Sequence, residues 1–204
     1  MILSIPHHYF EIENIHLAPF KLDKNRKPIA RLSYHDPIIS FHDVSILTPV
    51  ITVIDYNPEN SRLRLDLSRH FNFQIKLNTL YEYLISTIYL HQGTFLNQLN
   101  VSHEEIRNLF YFIMDGSILS LYIYPTALVK REKMDNSTSI GTSIGTSIGT
   151  SIGTSIGTSM RVADLKPGDT IRCIITFQGI SQIMNKNSMR LRLHHSVPSM
   201  YCLG

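Results

Sequence analysis

The tetrapeptide Arg-Leu-Arg-Leu occurs twice, at Arg62–Leu65 and at Arg190–Leu193, and constrains the fold more than any other stretch of the chain. Side chains that alternate with a period of two share one side only along an extended strand, because a helix brings residues together at every third or fourth position. Each copy therefore reads as a strand that buries its leucines (Leu63 and Leu65, Leu191 and Leu193) and turns its arginines outward. The leucine faces belong to a core. The arginine faces are either solvated surface or a platform for an anionic partner.

The flanking segments extend this reading into a sheet. "VSILTPVITVIDY" is rich in β-branched residues, "NPENS" is a turn by composition and "RLRLDL" alternates, so residues 44–67 predict an antiparallel hairpin. "FNFQIKL" at 71–77 alternates again and predicts a third strand. The period then changes: Leu80, Leu84 and Ile88, with Tyr81 and Ile85, predict a helix over about 79–91 that Gly93 ends. Ser102-His-Glu-Glu105 is a capping box and predicts a second helix over about 102–114, stopped by the Asp115-Gly116 turn. "SILSLYIYP" predicts a strand closed by Pro125. Near the end, "IRCIITFQGI", the turn "NKN" and "SMRLRLHHSV" predict a hairpin.

Two segments fit this pattern less well. Residues 1–40 carry Pro6, Pro19, Pro28 and Pro37 with little clean periodicity, and predict an arm laid along the surface with one or two short strands. Between Ser139 and Thr158 the unit Ser-Ile-Gly-Thr occurs five times. A four-residue period matches no solenoid that can bury a core, and the recurrent glycine raises the cost of ordering, so residues 137–159 read as a flexible, disordered insertion in the β domain 41–204. The expected fold class is mainly β with inserted helices (α+β), an OB-like antiparallel barrel with a disordered repeat loop.

Composition narrows the function. An apolar content of 43% with 17% charged residues excludes wholesale disorder. The net charge of +3 is unevenly placed: residues 160–204 hold six basic side chains against two acidic ones, while the first 159 hold 13 against 14. That bias favours a partner bearing phosphates. No apolar run approaches the roughly 20 residues that span a bilayer, and "MILSIPHHYF" has no basic leader, so an intracellular protein without membrane association is expected. Cys173 and Cys202 lack C-x-x-C spacing and read as thiols in a reducing compartment.

Signatures of catalysis are missing: there is no G-x-S-x-G, P-loop, dinucleotide fingerprint or H-E-x-x-H. The doublets His7-His8 and His194-His195 lack cysteine or carboxylate partners at ligand spacing. A non-enzymatic protein without metal or cofactor is expected. Binding of single-stranded nucleic acid needs cations that follow the backbone and rings on which bases stack. The candidate cations are Arg62, Arg64, Lys76, Arg172, Lys186, Arg190 and Arg192, and the candidate stacking rings are Phe71, Phe73, Tyr122 and Tyr124. His194, on the arginine face, would add a contact below about pH 6.5. The competing reading is a virion-associated or host-interaction protein that uses the same scaffold without nucleic acid, and the absence of tryptophan favours it.

The stretch "DLKPGDTIRCIITFQGI", with the hairpin and alternating strand after it, resembles the C-terminal end of the OB-fold single-stranded-DNA-binding proteins of poxviruses and other large cytoplasmic DNA viruses. The likeness covers about 35 residues and implies nucleic-acid binding on an OB-like barrel. The Ser-Ile-Gly-Thr array and "MRVADLKPGD" resemble asfarvirus (African swine fever virus) late proteins whose length varies through such a repeat. This second resemblance implies a viral late protein in the cytoplasm of an infected host cell, with viral or host proteins as possible partners.

Overall fold

The computed structural model describes residues 3–97, 100–132, 159–185 and 188–203, so the tetrapeptide array and Lys186 lie outside the described residues. In chain order the first strands are β1 (Ile5–Pro6), β2 (Ile15–Leu17), β3 (Lys21–Leu22), β4 (Pro28–His35), β5 (Ser40–Phe41), β6 (Val44–Leu47), β7 (Ile51–Asn57) and β8 (Arg62–Asp66). Three helices follow, α1 (Phe71–Leu90), α2 (Gln92–Phe95) and α3 (His103–Leu109). The remaining strands are β9 (Phe110–Tyr111), β10 (Met114–Asp115), β11 (Ile118–Tyr122), β12 (Leu128–Glu132), β13 (Ser159–Arg161), β14 (Thr170–Asn185) and β15 (Ser188–Leu203). The protein is mainly β, with an open, mostly antiparallel sheet.

The C-terminal hairpin organises that sheet. β14 and β15 pair along nearly their whole length, and β14 offers its other edge in turn to β7 at 170–171, to β6 at 174–177 and to β4 at 179–181. One strand can serve three partners because the β14–β15 ladder shifts register twice, between Ile174 and Thr176 and between Phe177 and Gly179, and such bulges bend and twist a strand. Gly179 sits at the second shift with φ +150°, where a Cβ would collide with the Ala30 carbonyl and stand 3.0 Å from the Arg31 Cα. Only glycine lets β4 approach this closely.

The leucines of both twin motifs lie in the core. Leu63, Leu65, Leu191 and Leu193 are at most 1% exposed and join Ile175, Phe177 and Ile180 of β14 in one hydrophobic cluster. The helices cover this cluster from outside the sheet. Phe73, Leu77, Leu80, Tyr81, Leu84, Ile85 and Ile88 form the buried stripe of α1.

Three local expectations are corrected. "FNFQIKL" is the first two turns of α1, not a third strand, because Phe73 and Leu77 continue the stripe of Leu80 and Leu84, and helix propagation is cooperative. The second helix stops at Leu109 instead of 114. Its capping box is formed, with the Ser102 hydroxyl accepting from the Glu105 amide (3.2 Å) and the Glu105 carboxylate accepting from the Ser102 amide (2.7 Å). Phe110 then turns extended and pairs in parallel with Leu191 of β15. Residues 1–40 are not a surface arm: β4 pairs with β14, and Ala30, Leu32 and Tyr34 are buried in the core.

Candidate nucleic-acid interface

The two arginine strands present their cations in different settings. On β8, Arg62 and Arg64 point away from the core, opposite Tyr122 and Ser120 of β11. Arg64 donates to the Asp55 carboxylate of β7 at 3.0 Å, so its charge is matched by a neighbour. Arg62 is exposed beside Tyr122, whose ring is 48% exposed and meets Tyr124, 66% exposed, edge-on at 5.4 Å. This end of the sheet therefore combines one cation without an ion pair among the described residues and two accessible rings.

On β15, both arginines gather on one aromatic ring. Parallel pairing with β9 sets Arg192 opposite Tyr111, and the guanidinium groups of Arg190 and Arg192 lie 5.8 Å and 5.5 Å from its ring centre. Cations over a π face are attracted by its quadrupole, which holds these side chains in place at a pitch of about 7 Å along the strand. Arg190 also donates to the Asn108 carbonyl at the end of α3. Among the described residues neither arginine has a carboxylate partner. Tyr111 is 44% exposed. It lies in "LFYFIM", which reads as helix by sequence, and a parallel pairing between distant segments leaves no local signature.

The two groups approach each other at His195. Its Nε2 accepts a hydrogen bond from the Tyr122 amide of β11 at 3.0 Å, which requires the neutral imidazole. Its pKa is pushed down to about 4, chiefly by burial and then by the charges of His194, Arg192 and Arg62, against a hydrogen bond at the Leu193 backbone that raises it. One arginine from each twin motif thus lies within electrostatic reach of the same side chain. His194 does not behave as the simple pH-6.5 contact expected: desolvation lowers its pKa first, and Arg192, Lys27 and Arg31 lower it further.

The other candidates fall elsewhere. Lys76 is on α1, and its ammonium donates to the His8 and Phe10 carbonyls at 3.0 Å and 2.6 Å, so it ties the N-terminal segment to the helix. Arg172 is half-buried at the opposite end of β14, opposite Tyr201, with its Nε buried and without a hydrogen-bond partner among the described residues. Phe73 is core, against the His7 ring at 5.7 Å, whereas Phe71 is exposed at the first turn of α1. Helical geometry separates these two rings, which a strand would have placed on one face.

Among the described residues no three His, Cys, Asp or Glu side chains gather at a metal-binding distance, and no helix is long and apolar enough to cross a membrane. Cys173 and Cys202 are both free and buried, and burial pushes the Cys173 thiol up to about 12, far from a nucleophilic thiolate. No family model matches the chain, and neither a curated protein nor a solved structure is significantly similar to it.

Proposed function

We propose that this protein binds single-stranded nucleic acid without catalysis, through the surface formed by Arg190 and Arg192 on β15, Tyr111 on β9, and Arg62, Tyr122 and Tyr124 at the ends of β8 and β11. The observation that carries the reading is the pair of β15 guanidinium groups held over one exposed tyrosine, with no carboxylate paired to them among the described residues. Cations fixed in this way engage phosphates with little further loss of side-chain freedom, and the accessible rings of Tyr122 and Tyr124 supply faces for bases. An OB-like scaffold is part of the proposal: the Tyr122 to His195 hydrogen bond brings β11 against β15, where a barrel would close. The viral resemblance favours a late protein acting at replication sites in the host cytoplasm.

The test is fluorescence anisotropy with a labelled oligonucleotide of about 25 bases, titrated over a range of salt. For single strands log K falls by about 0.7 per neutralised phosphate, so Arg62, Arg190 and Arg192 together predict a slope of about −2. Absence of binding at low salt removes the reading. The protein-interaction alternative uses the same scaffold without nucleic acid, and Phe71 and Ile75 of α1, 69% and 45% exposed, add an apolar contact that only this alternative would use. Phe71→Ala therefore leaves oligonucleotide binding unchanged while weakening any protein complex made through that helix.

A further inference from the structure

Beside the arginine platform lies a cleft of about 430 Å³, between α3, the segment that leads into it and the tip of β15. Leu96, Val101, Leu109 and Met189 make its walls apolar, and Asn100, Glu105 and Asn108 supply its polar groups. The cleft and the platform meet at Asn108. Met189 and Arg190 alternate to opposite sides of β15, but the Arg190 guanidinium donates to the Asn108 carbonyl, which sets that cation at the end of the helix that walls the cleft.

The walls are fixed before any ligand arrives. The Gln92 side chain clamps Val101, donating to its carbonyl at 2.7 Å and accepting from its amide at 2.9 Å. The Ser102 amide and hydroxyl both donate to Glu105 Oε2, each at 2.7 Å, which holds the carboxylate at the first turn of α3. Its other oxygen, Oε1, and the side-chain amides of Asn100 and Asn108 make no hydrogen bond among the described residues, and all three residues are exposed.

The chemistry of the lining selects the ligand. Its one ionised group among the described residues is a carboxylate, which repels a phosphate but accepts from an exocyclic amino group, and a carboxamide donates to a ring nitrogen beside that group. Apolar walls suit the faces of a flat ring. Adenine and cytosine carry an amino group next to a ring acceptor, and uracil and thymine carry a carbonyl there instead.

We infer that this cleft is a base slot, which takes an adenine or cytosine from a strand whose phosphates lie on Arg190 and Arg192. Glu105 accepts from the exocyclic amino group and Asn108 donates to the ring nitrogen. The inference rests on the single-strand reading for the strand that delivers the base, but the slot recognises the base itself. It adds a preference among sequences to a track that otherwise reads only charge.

The test uses the full-length protein with 13C-labelled methionine methyl groups and follows the Met189 signal, assigned with Met189→Leu, during separate titrations with AMP, CMP and UMP. A saturable shift is expected with AMP and CMP, at affinities about tenfold tighter than with UMP, the worth of one hydrogen bond to a charged group. Asn108→Ala should weaken AMP by about fivefold, and Glu105→Gln, which keeps the capping box because glutamine also closes it, should abolish the preference over UMP. Both variants change exposed side chains, so a thermal midpoint close to the wild type verifies that they are folded. No saturable shift of Met189 in the wild type, equal affinities for the three nucleotides, or a preference unchanged in Glu105→Gln overturns the slot. An oligonucleotide that binds with its expected salt slope while the slot fails keeps the single-strand reading. Nucleotides that seat as expected without any oligonucleotide binding keep the slot and remove that reading.

Discussion

β8 and β15 carry the same four residues, yet their arginines meet different neighbours. Both strands bury their leucines completely, so the apolar half of the motif does the same work in each place. The polar half diverges: Arg64 faces Asp55 across a hairpin, whereas Arg190 and Arg192 face Tyr111 across a parallel pairing. Alternation dictates which side chains point outward, and the adjoining strand dictates what an outward charge can do. A paired arginine is part of the surface, and one held on an aromatic ring keeps its charge for a ligand.

The largest effects should fall where the two strands are alike. Leu63→Ala and Leu191→Ala should each cost roughly 2–5 kcal/mol in urea unfolding, because both remove a fully buried side chain. A loss below about 0.5 kcal/mol in either, the range of ordinary surface changes, would end the equivalence of the two leucine faces.

Next comes the residue where the strands approach. The folded-state pKa of His195 is about 4 against an ordinary 6.5, so the unfolded chain binds the proton more readily. The resulting stability is fully present above pH 6.5 and is lost as pH falls toward 4, a change on the order of 3 kcal/mol. His7 and His194 are lowered as well and act in the same direction. His195→Gln should flatten the decline between pH 6.5 and 4 in thermal melts. An equally steep decline in that variant would assign it to other groups.

A smaller effect should turn one strand into the likeness of the other. Asp55→Asn frees Arg64, so the salt slope of oligonucleotide binding should steepen by about 0.7 as a fourth cation engages. The stability cost should stay below about 1 kcal/mol, because both partners are two-fifths exposed. An unchanged slope would mean that β8 lies off the track. The smallest effect on oligonucleotide binding, close to none, is expected for Phe71→Ala, whose ring is exposed on the first turn of α1.

The sequence was informative where a pattern is local and strong. The leucine face, the C-terminal hairpin and the Ser102 capping box are each legible within a few residues. Misreadings arose where seven residues of alternation competed with a longer helical stripe, as at "FNFQIKL". In "PIARLSYH" Ala30, Leu32 and Tyr34 alternate onto the core side, but Pro28 at its start and Pro37 just beyond it mask the strand signal. The site depends on meetings that no local pattern encodes. Lys76 is taken up by carbonyls 66 and 68 residues away, and Tyr111 reaches Arg192 through a parallel pairing.

The central claim is that the β15 arginines are a phosphate platform, and the salt dependence of oligonucleotide binding by the Arg190→Ala, Arg192→Ala double variant tests it most directly. Leu191 and Leu193 still fill the core in that variant, so it should fold, with a thermal midpoint lowered only by the lost contacts to Tyr111 and the Asn108 carbonyl. With only Arg62 left of the three cations, the slope should fall from about −2 to about −0.7. A folded double variant that keeps the full wild-type slope would contradict the account and return the alternating arginines to solvated surface.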